Sequence, residues 1–345
     1  MELLGKWRQQ STEKAIPLQA SLELTYRCNE RCTHCYIDHF HDDPKRIMTL
    51  EQWIHILDEL RNAGTFFLIF MGGEAMLNPL FWDIAREAKK RAFHMSLITN
   101  GLKIQTQEGA DQLREAGFQV VTFSLYSLEP EIHDAMTAVA GSHHRTLRAL
   151  HYVHQSGIKV GINCLLTKNN IAGFFDLADW CIERGFEIKE DVTVTAKMDG
   201  DLSTLELRAS PEQLFTYYQT RALKWPKGAP QASNDQPEDY SCNLAKGKCA
   251  ITPYGDLLGC LEIRKPLGNL LQHSFKQLWN TDYAESLRNI KIKDIEGRLE
   301  TKSGSSFCDH CPGMAQHECG SLHKATPFSQ QIARIKEKVS SAVSN

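Results

Sequence analysis

No stretch of the 345 residues keeps up the roughly 18 consecutive apolar positions that a membrane-crossing helix needs. The opening MELLGKWRQQSTEK has no apolar core of the kind a secretory signal carries, so a cytoplasmic chain is expected. Neither sign of charge dominates. The 39 Lys and Arg stand against 42 Asp and Glu, scattered along the chain, which argues against a nucleic-acid partner. No Gly-x-Gly-x-x-Gly follows the first strand-like run, so the main signature of an open dinucleotide-binding sheet is missing. A disulfide framework is also not expected, because the 11 cysteines are odd in number and the compartment is a reducing one. What is present is clustering. Nine of the 11 fall in two groups, from Cys28 to Cys35 and from Cys242 to Cys319, and such grouping points to metal. The other two, Cys164 and Cys181, sit on apolar patterns and read as core.

From residue 20 to about 195, short β-rich runs alternate with amphipathic ones. Strands are expected over 22–27, 66–71, 95–99, 120–126, 159–167 and 187–195. Between them Leu50, Trp53, Ile54, Leu57 and Leu60, then Phe81, Ile84, Ala85 and Ala88, then Phe174, Leu177, Ala178 and Cys181 follow a helical period. Thr49 with Gln52 makes a capping box, and Asn78-Pro79 reads as a cap followed by proline at the first helical position. Gly64, Gly117, Gly157 and Gly185 close helices. Six βα units imply a parallel sheet covered by helices, read as a partial (β/α)6 barrel. Its core is expected over 20–224, after an N-terminal tail at 1–19. The polar, proline-bearing stretch 225–240 reads as a linker, 241–328 as a small cysteine-rich domain with one helical patch at 275–287, and 329–345 as a charged helix and tail.

The first cysteine group has the spacing C-x3-C-x2-C directly after the first strand, on Cys28, Cys32 and Cys35. Three thiolates in one tight loop can hold three irons of a [4Fe–4S] cube and leave the fourth for an outside ligand. The loop lies where barrel enzymes place their chemistry. A zinc knuckle completed by His34 or His39 is the competing reading, but structural zinc commonly uses two separated ligand pairs.

C-x3-C-x2-C followed by the aromatic Tyr36 resembles the signature of the radical S-adenosylmethionine (AdoMet, SAM) superfamily. Met71-Gly72-Gly73-Glu74 stands where that family has Gly-Gly-Glu-Pro, with Ala75 replacing proline. The resemblance implies a cluster that passes an electron to AdoMet and yields a 5′-deoxyadenosyl radical, which takes a hydrogen atom from the substrate. It further implies AdoMet contacts from Tyr36, Gly72, Gly73, Glu74, Asn100, Ser124 and Asn163.

In the second group, Cys242 and Cys260 form C-x12-G-x4-C around Gly255, and Cys308-x2-Cys311 follows. On spacing alone zinc and a [4Fe–4S] cluster both fit. The run from Cys242 to Cys260 resembles the opening of a SPASM domain, and Cys308-Asp-His-Cys311 is similar to its closing part. A full SPASM domain needs more cysteines than the six here, so a shortened, Twitch-like domain with one auxiliary [4Fe–4S] cluster on Cys242, Cys260, Cys308 and Cys311 is implied. Cys249 either replaces one of these ligands or serves as a hydrogen donor at the active site, and Cys319 and His323 read as surface-loop residues. His39, His41, His143 and His144 read as solvated loop residues, and the stretch from Glu129 to Asp134 as a solvated helix start.

Ser124-Leu-Tyr-Ser, His133-Asp134, Gly141-Ser142 and Thr146-Leu147 resemble maturases of the group that makes pyrroloquinoline quinone and other modified peptides. The expected function is therefore oxidative modification of a ribosomally made peptide. The alternative is a dehydrogenase, decarboxylase or epimerase of a sugar or other small molecule. A reductant such as flavodoxin or ferredoxin is implied, as is a separate peptide-recognition protein, because only about 20 residues precede the first strand.

Overall fold

The computed structural model describes residues 2–225, 228–300 and 306–343. After helix α1 (Glu2–Glu13), six parallel strands alternate with helices: β1 (Gln19–Glu23), α2 (Leu50–Asn62), β2 (Phe67–Met71), α3 (Phe81–Lys90), β3 (His94–Thr99), α4 (Gln107–Ala116), β4 (Phe118–Ser124), α5 (Pro130–Thr137), α6 (Ser142–Gln155), β5 (Lys159–Leu165), α7 (Phe174–Glu183) and β6 (Glu187–Asp191). Helix α8 (Pro211–Lys224) follows β6. The sheet then resumes in β7 (Lys248–Ile251), β8 (Asp256–Leu258) and β9 (Gly268–Asn269). The strand order is β6-β5-β4-β3-β2-β1-β7-β8-β9. Since β6 and β9 remain edges, the barrel is open, as expected for a partial one. The second cysteine segment therefore shares a sheet with the barrel: β7 pairs in parallel with β1, in the register Gln19 with Lys248 to Leu22 with Ile251.

The expected local signals are met at several points. Thr49 and Gln52 form their reciprocal box at the start of α2. Gly64, Gly117, Gly157 and Gly185 all take positive φ. Three details differ from the sequence reading. First, β1 starts and ends earlier than 22–27, because the main chain beyond Glu23 bends onto the tip of β2: Leu24 N–H donates to Met71 O and Gly73 N–H to Thr25 O. Second, α3 begins at Phe81, beyond Asn78-Pro79. The Asn78 side chain instead holds the preceding turn, accepting from Leu80 N–H at 2.8 Å and donating to Leu24 O at 2.6 Å. Third, the patch at 275–287 is two short helices, α9 (Phe275–Trp279) and α10 (Asp282–Arg288), each with its own serine or threonine cap.

Two further helices, α11 (Pro312–Cys319) and α12 (Pro327–Val343), return to the barrel. Helix α12 buries Phe328, Ile332, Ile335 and Val339. Arg208, beyond β6, makes a bidentate pair with Glu318 of α11 at 2.6 and 3.0 Å and stacks over Phe328 of α12. The C-terminal helices are thereby fixed across the mouth of the barrel.

Candidate active site

A cavity of about 550 Å³ opens at the C-terminal ends of the parallel strands. Met71, Thr99, Ser124, Leu165 and Asp191 line it, each the last residue of its strand. Cys28, Cys32, Cys35 and Tyr36 form one wall, and Cys311 with residues of α11 and α12 forms the opposite one. Of the second cysteine group, Cys311 thus shares this space with the first group.

The cysteine loop is held from two sides. Arg31 N–H and Thr33 N–H donate to Thr137 O and Met136 O at the end of α5. Across the cavity, the Asn100 side chain bonds Asn29 at 2.8 Å and lies 3.9 Å from Cys28 Sγ. Burial, only partly offset by a backbone N–H from Glu30, pushes the Cys28 thiol up to about 12, with Glu74, Glu30 and Cys35 adding like charge. The Cys32 and Cys35 thiols are raised first by burial as well. Three thiolates in this low-dielectric pocket call for a bound cation, and iron supplies one. Among the described residues no three His, Cys, Asp or Glu side chains converge as a single metal ion requires. A cubane offers each thiolate its own iron, so the cysteines need to surround a space, which these three do. With all three thiols free and amide donors aimed at sulfur, the donor set fits a [4Fe–4S] cluster.

The Gly-Gly-Glu segment works by close packing. A Cβ on Gly73 would lie within 2.7 Å of Tyr26 O and closer still to Arg27 O, and one on Gly72 would overlap Thr25 O. Only glycine lets the tip of β2 dock on the strand leading to the cysteine loop. Both glycines line the cavity. Glu74 does not. Its buried carboxylate accepts from Thr99 Oγ1 at 2.8 Å, Asn100 N–H at 3.0 Å and Met76 N–H at 3.2 Å, so it orients the tip of β3. Ala75 opens a short 3-10 turn capped by Glu74, a position that does not need the family's proline.

Tyr36 lines the cavity and donates its hydroxyl to Glu23 Oε1 at 2.9 Å. Glu23 is fully buried and takes two further bonds from Arg264, at 2.8 and 3.1 Å. Burial alone would lower the Arg264 pKa, and Glu23 more than reverses this. This ion pair ties the segment after Cys260 to the first strand of the barrel. Asn100 and Ser124 line the cavity as expected, whereas Asn163 lies on β5 beside Ser124 and does not.

Of the second cysteine group, Cys260 lies within electrostatic reach of both Cys242 and Cys311, and burial raises the Cys260 and Cys311 thiols, whereas Cys242 is exposed. The buried Cys308 thiol lies 3.9 Å from Ser329 Oγ. Cys249 sits on β7 beside Ala20 of β1, packed in the hydrophobic core and away from the cavity lining. Its position does not support a hydrogen-donor role, because the strand carrying it continues the barrel sheet and buries that face. Cys319 ends α11 and is half-buried. His143 is buried in α6 rather than solvated, and Asp134 caps that helix by accepting from His143 N–H and Ser142 Oγ.

Sequence reasoning missed Glu30, Tyr126, Asp191 and Glu262 and named His34 only as an alternative zinc ligand; all five line the cavity. Glu30 and His34 lie inside the cysteine motif, and Tyr126 meets His34 edge-on at a centroid distance of 4.7 Å and stacks on His133 at 5.5 Å. Asp191 was not legible as a strand end, since the strand was expected to run to 195 and β6 stops at Asp191. Neither was Glu262, two residues after Cys260.

The family model of the radical SAM superfamily matches residues 22–184, and that of an iron–sulfur cluster-binding SPASM domain matches 242–312. Over 337 residues, 90% of this chain and 96% of the other, it is 23% identical to the AdoMet-dependent heme synthase of Methanosarcina barkeri (strain Fusaro / DSM 804). It is 24% identical over 310 residues to the antilisterial bacteriocin subtilosin biosynthesis protein AlbA of Bacillus subtilis (strain 168), covering 88% of this chain and 68% of that one. In structure it resembles Streptococcus suis SuiB bound to its precursor peptide SuiA, with a TM-score of 0.68 over 95% of this chain and 80% of that one at 16% identity, a likeness of fold.

Proposed function

We propose that this chain, a radical SAM enzyme whose core is followed by a SPASM domain, modifies a ribosomally made peptide by an oxidative reaction. The observation that carries the reading is the cavity whose lining includes Cys28, Cys32 and Cys35 together with Cys311. AlbA and SuiB, a biosynthesis protein for a bacteriocin and a protein that binds a precursor peptide, favour a peptide as the substrate.

Cys28, Cys32 and Cys35 would hold the first [4Fe–4S] cluster, and Cys242, Cys260, Cys308 and Cys311 an auxiliary one. When bound, the first cluster with AdoMet supplies a 5′-deoxyadenosyl radical that removes a hydrogen atom, and the auxiliary cluster supplies an electron acceptor. The chain's own residues do the positioning. Gly72 and Gly73 present main-chain groups where no side chain intrudes, and Tyr36, Asn100 and Ser124 offer polar contacts for AdoMet. Glu74 holds Thr99 and Asn100 in place. Met314, Phe328 and Ile332 wall the opposite side with apolar surface that excludes water from a radical. A flavodoxin or ferredoxin would deliver the electron, and a separate protein would present the peptide.

The test is anaerobic reconstitution followed by AdoMet and dithionite, alone and with a candidate precursor peptide. Release of 5′-deoxyadenosine together with a peptide lighter by two hydrogen atoms supports the proposal. Turnover of a tetrapyrrole instead, as the name of the heme synthase relative suggests, would overturn the peptide substrate while leaving the radical chemistry standing.

A further inference from the structure

We propose that the outer face of the cysteine loop, together with the loop after β3 and the first turns of α6 beside it, docks the acidic face of a one-electron carrier protein, which reduces the first cluster through the loop. This deepens the electron-delivery part of the proposed function, on which it rests, by placing the carrier on the molecule.

The cysteine loop is a single layer of chain. Cys28, Glu30, Cys32, His34 and Cys35 line the cavity. Arg27, Arg31 and Thr33, beside and between them, are exposed. Substrate and AdoMet would occupy the inner side, so an electron that arrives without crossing them comes from the outer side. Two cationic segments adjoin the loop there. Lys103 follows Asn100, whose side chain bonds Asn29 of the loop at 2.8 Å. Arg145 and Arg148 flank Thr146 of α6, whose hydroxyl donates to Asn100 O at 2.7 Å. Arg145 also lies within electrostatic reach of Glu30.

The charge on this face is of one sign. Arg27, Lys103 and Arg148 are exposed and Arg145 is half-buried, and none of these four side chains makes a hydrogen bond or ion pair with any described residue. Arg31 braces the loop, donating to Cys28 O and Glu30 O at 2.8 and 2.7 Å and stacking over Phe40. Residues 27–35, 100–103 and 134–148 contain only two carboxylates, Glu30 and Asp134. Glu30 is 3% exposed, and Asp134 is taken up by Ser142 Oγ and the His143 N–H. The chain as a whole has more acidic than basic residues, so this local excess of free cations is set apart from its average. Such a face attracts and orients an anionic partner surface. The step passes one electron from the carrier's reduced flavin or iron–sulfur group to the cluster, and no bond is made or broken.

The experiment uses the full-length, reconstituted chain and a flavodoxin as the probe. Calorimetry reads binding at low and moderate salt, and 5′-deoxyadenosine release is followed with reduced flavodoxin and, separately, with dithionite. The triple variant Arg27→Gln/Lys103→Gln/Arg148→Gln should bind flavodoxin about tenfold more weakly than the parent and lose most of the salt dependence. Its flavodoxin-driven release should fall by about the same factor, while dithionite-driven release stays within about twofold of the parent. A control triple, Lys14→Gln/Lys276→Gln/Lys338→Gln, removes the same charge from other exposed positions and should bind like the parent. Equal binding by the two triple variants overturns the proposal. So does a loss of dithionite-driven release in the first, which would place these side chains in cluster or AdoMet binding. Duplex DNA binding at least as tightly as flavodoxin also overturns it, by making the face a general polyanion surface. Release with dithionite but no binding of flavodoxin sinks the docking face alone, whereas no release with either reductant sinks the radical reading beneath it.

Discussion

Replacing Arg264 by leucine removes the cation from a buried cluster that joins the two parts of the chain. Glu23 is fully buried and Arg264 nearly so, with side-chain exposures of 0% and 13%. The carboxylate takes two guanidinium bonds at 2.8 and 3.1 Å, and Arg264 also donates to Tyr26 Oη at 2.7 Å. After the replacement, only the Tyr36 and Tyr26 hydroxyls, at 2.9 and 3.3 Å, still serve Glu23. Breaking a buried pair by removing one partner costs about 3–5 kcal/mol. Two hydroxyl donors remain, so the lower end, about 3 kcal/mol, is expected. That is a large share of the stability of a typical domain. The neutral pair Glu23→Gln/Arg264→Leu leaves no uncompensated charge and should recover more than half of the loss. Urea unfolding of the single and double variants reads these values, and hydrogen exchange should show the loosening first along β1 and the segment from Cys260 to Arg264. A single variant within about 1 kcal/mol of the parent chain, or a double variant no better than the single, would refute the reasoning that this pair couples the SPASM segment to the barrel.

Gly73→Ala should destabilise by about 1–3 kcal/mol, since backbone oxygens occupy the space a Cβ needs, whereas Gly173→Ala, with nothing nearby, should change stability by less than about 0.5 kcal/mol. Comparable urea midpoints for the two variants would contradict the docking described for β2. His133 is pushed down from 6.5 to about 4, first by burial and then by the charge of His143. The unfolded chain therefore binds the proton more readily, and stability should fall by about 1.4 kcal/mol per pH unit as the pH drops from 6.5 towards 4. His133→Asn should flatten that slope, and an unchanged slope would place its origin elsewhere. Cys249→Ala should leave iron content and turnover intact, because its thiol faces the core between β7 and β1. Loss of iron on that substitution would restore Cys249 as a ligand.

Much of this protein can be read from local pattern. The alternation of period two and period 3.6, the box at Thr49 and Gln52, and the glycines closing helices depend on neighbours a few residues apart, and they yielded the βα units and their order. The cysteine triad is local too, since one short loop after one strand contains all three donors. So is the Gly-Gly-Glu run, although only the packing shows why its glycines admit no side chain and why Glu74 serves Thr99 and Asn100 instead of the cavity.

Contacts between distant segments were decided by tertiary structure alone. Nothing near Cys249 in the chain says that β7 will pair with β1 and bury it, and nothing near Cys311 says that it will face Cys28 across one cavity. The same holds for Arg264 reaching Glu23. Buried charges need partners, and the sequence shows the charge without showing the partner. By itself the sequence determined how the chemistry begins, because three thiolates at that spacing need only their own loop. The tertiary structure decided what shares the cavity with them, because that depends on how segments far apart in the chain pack around it.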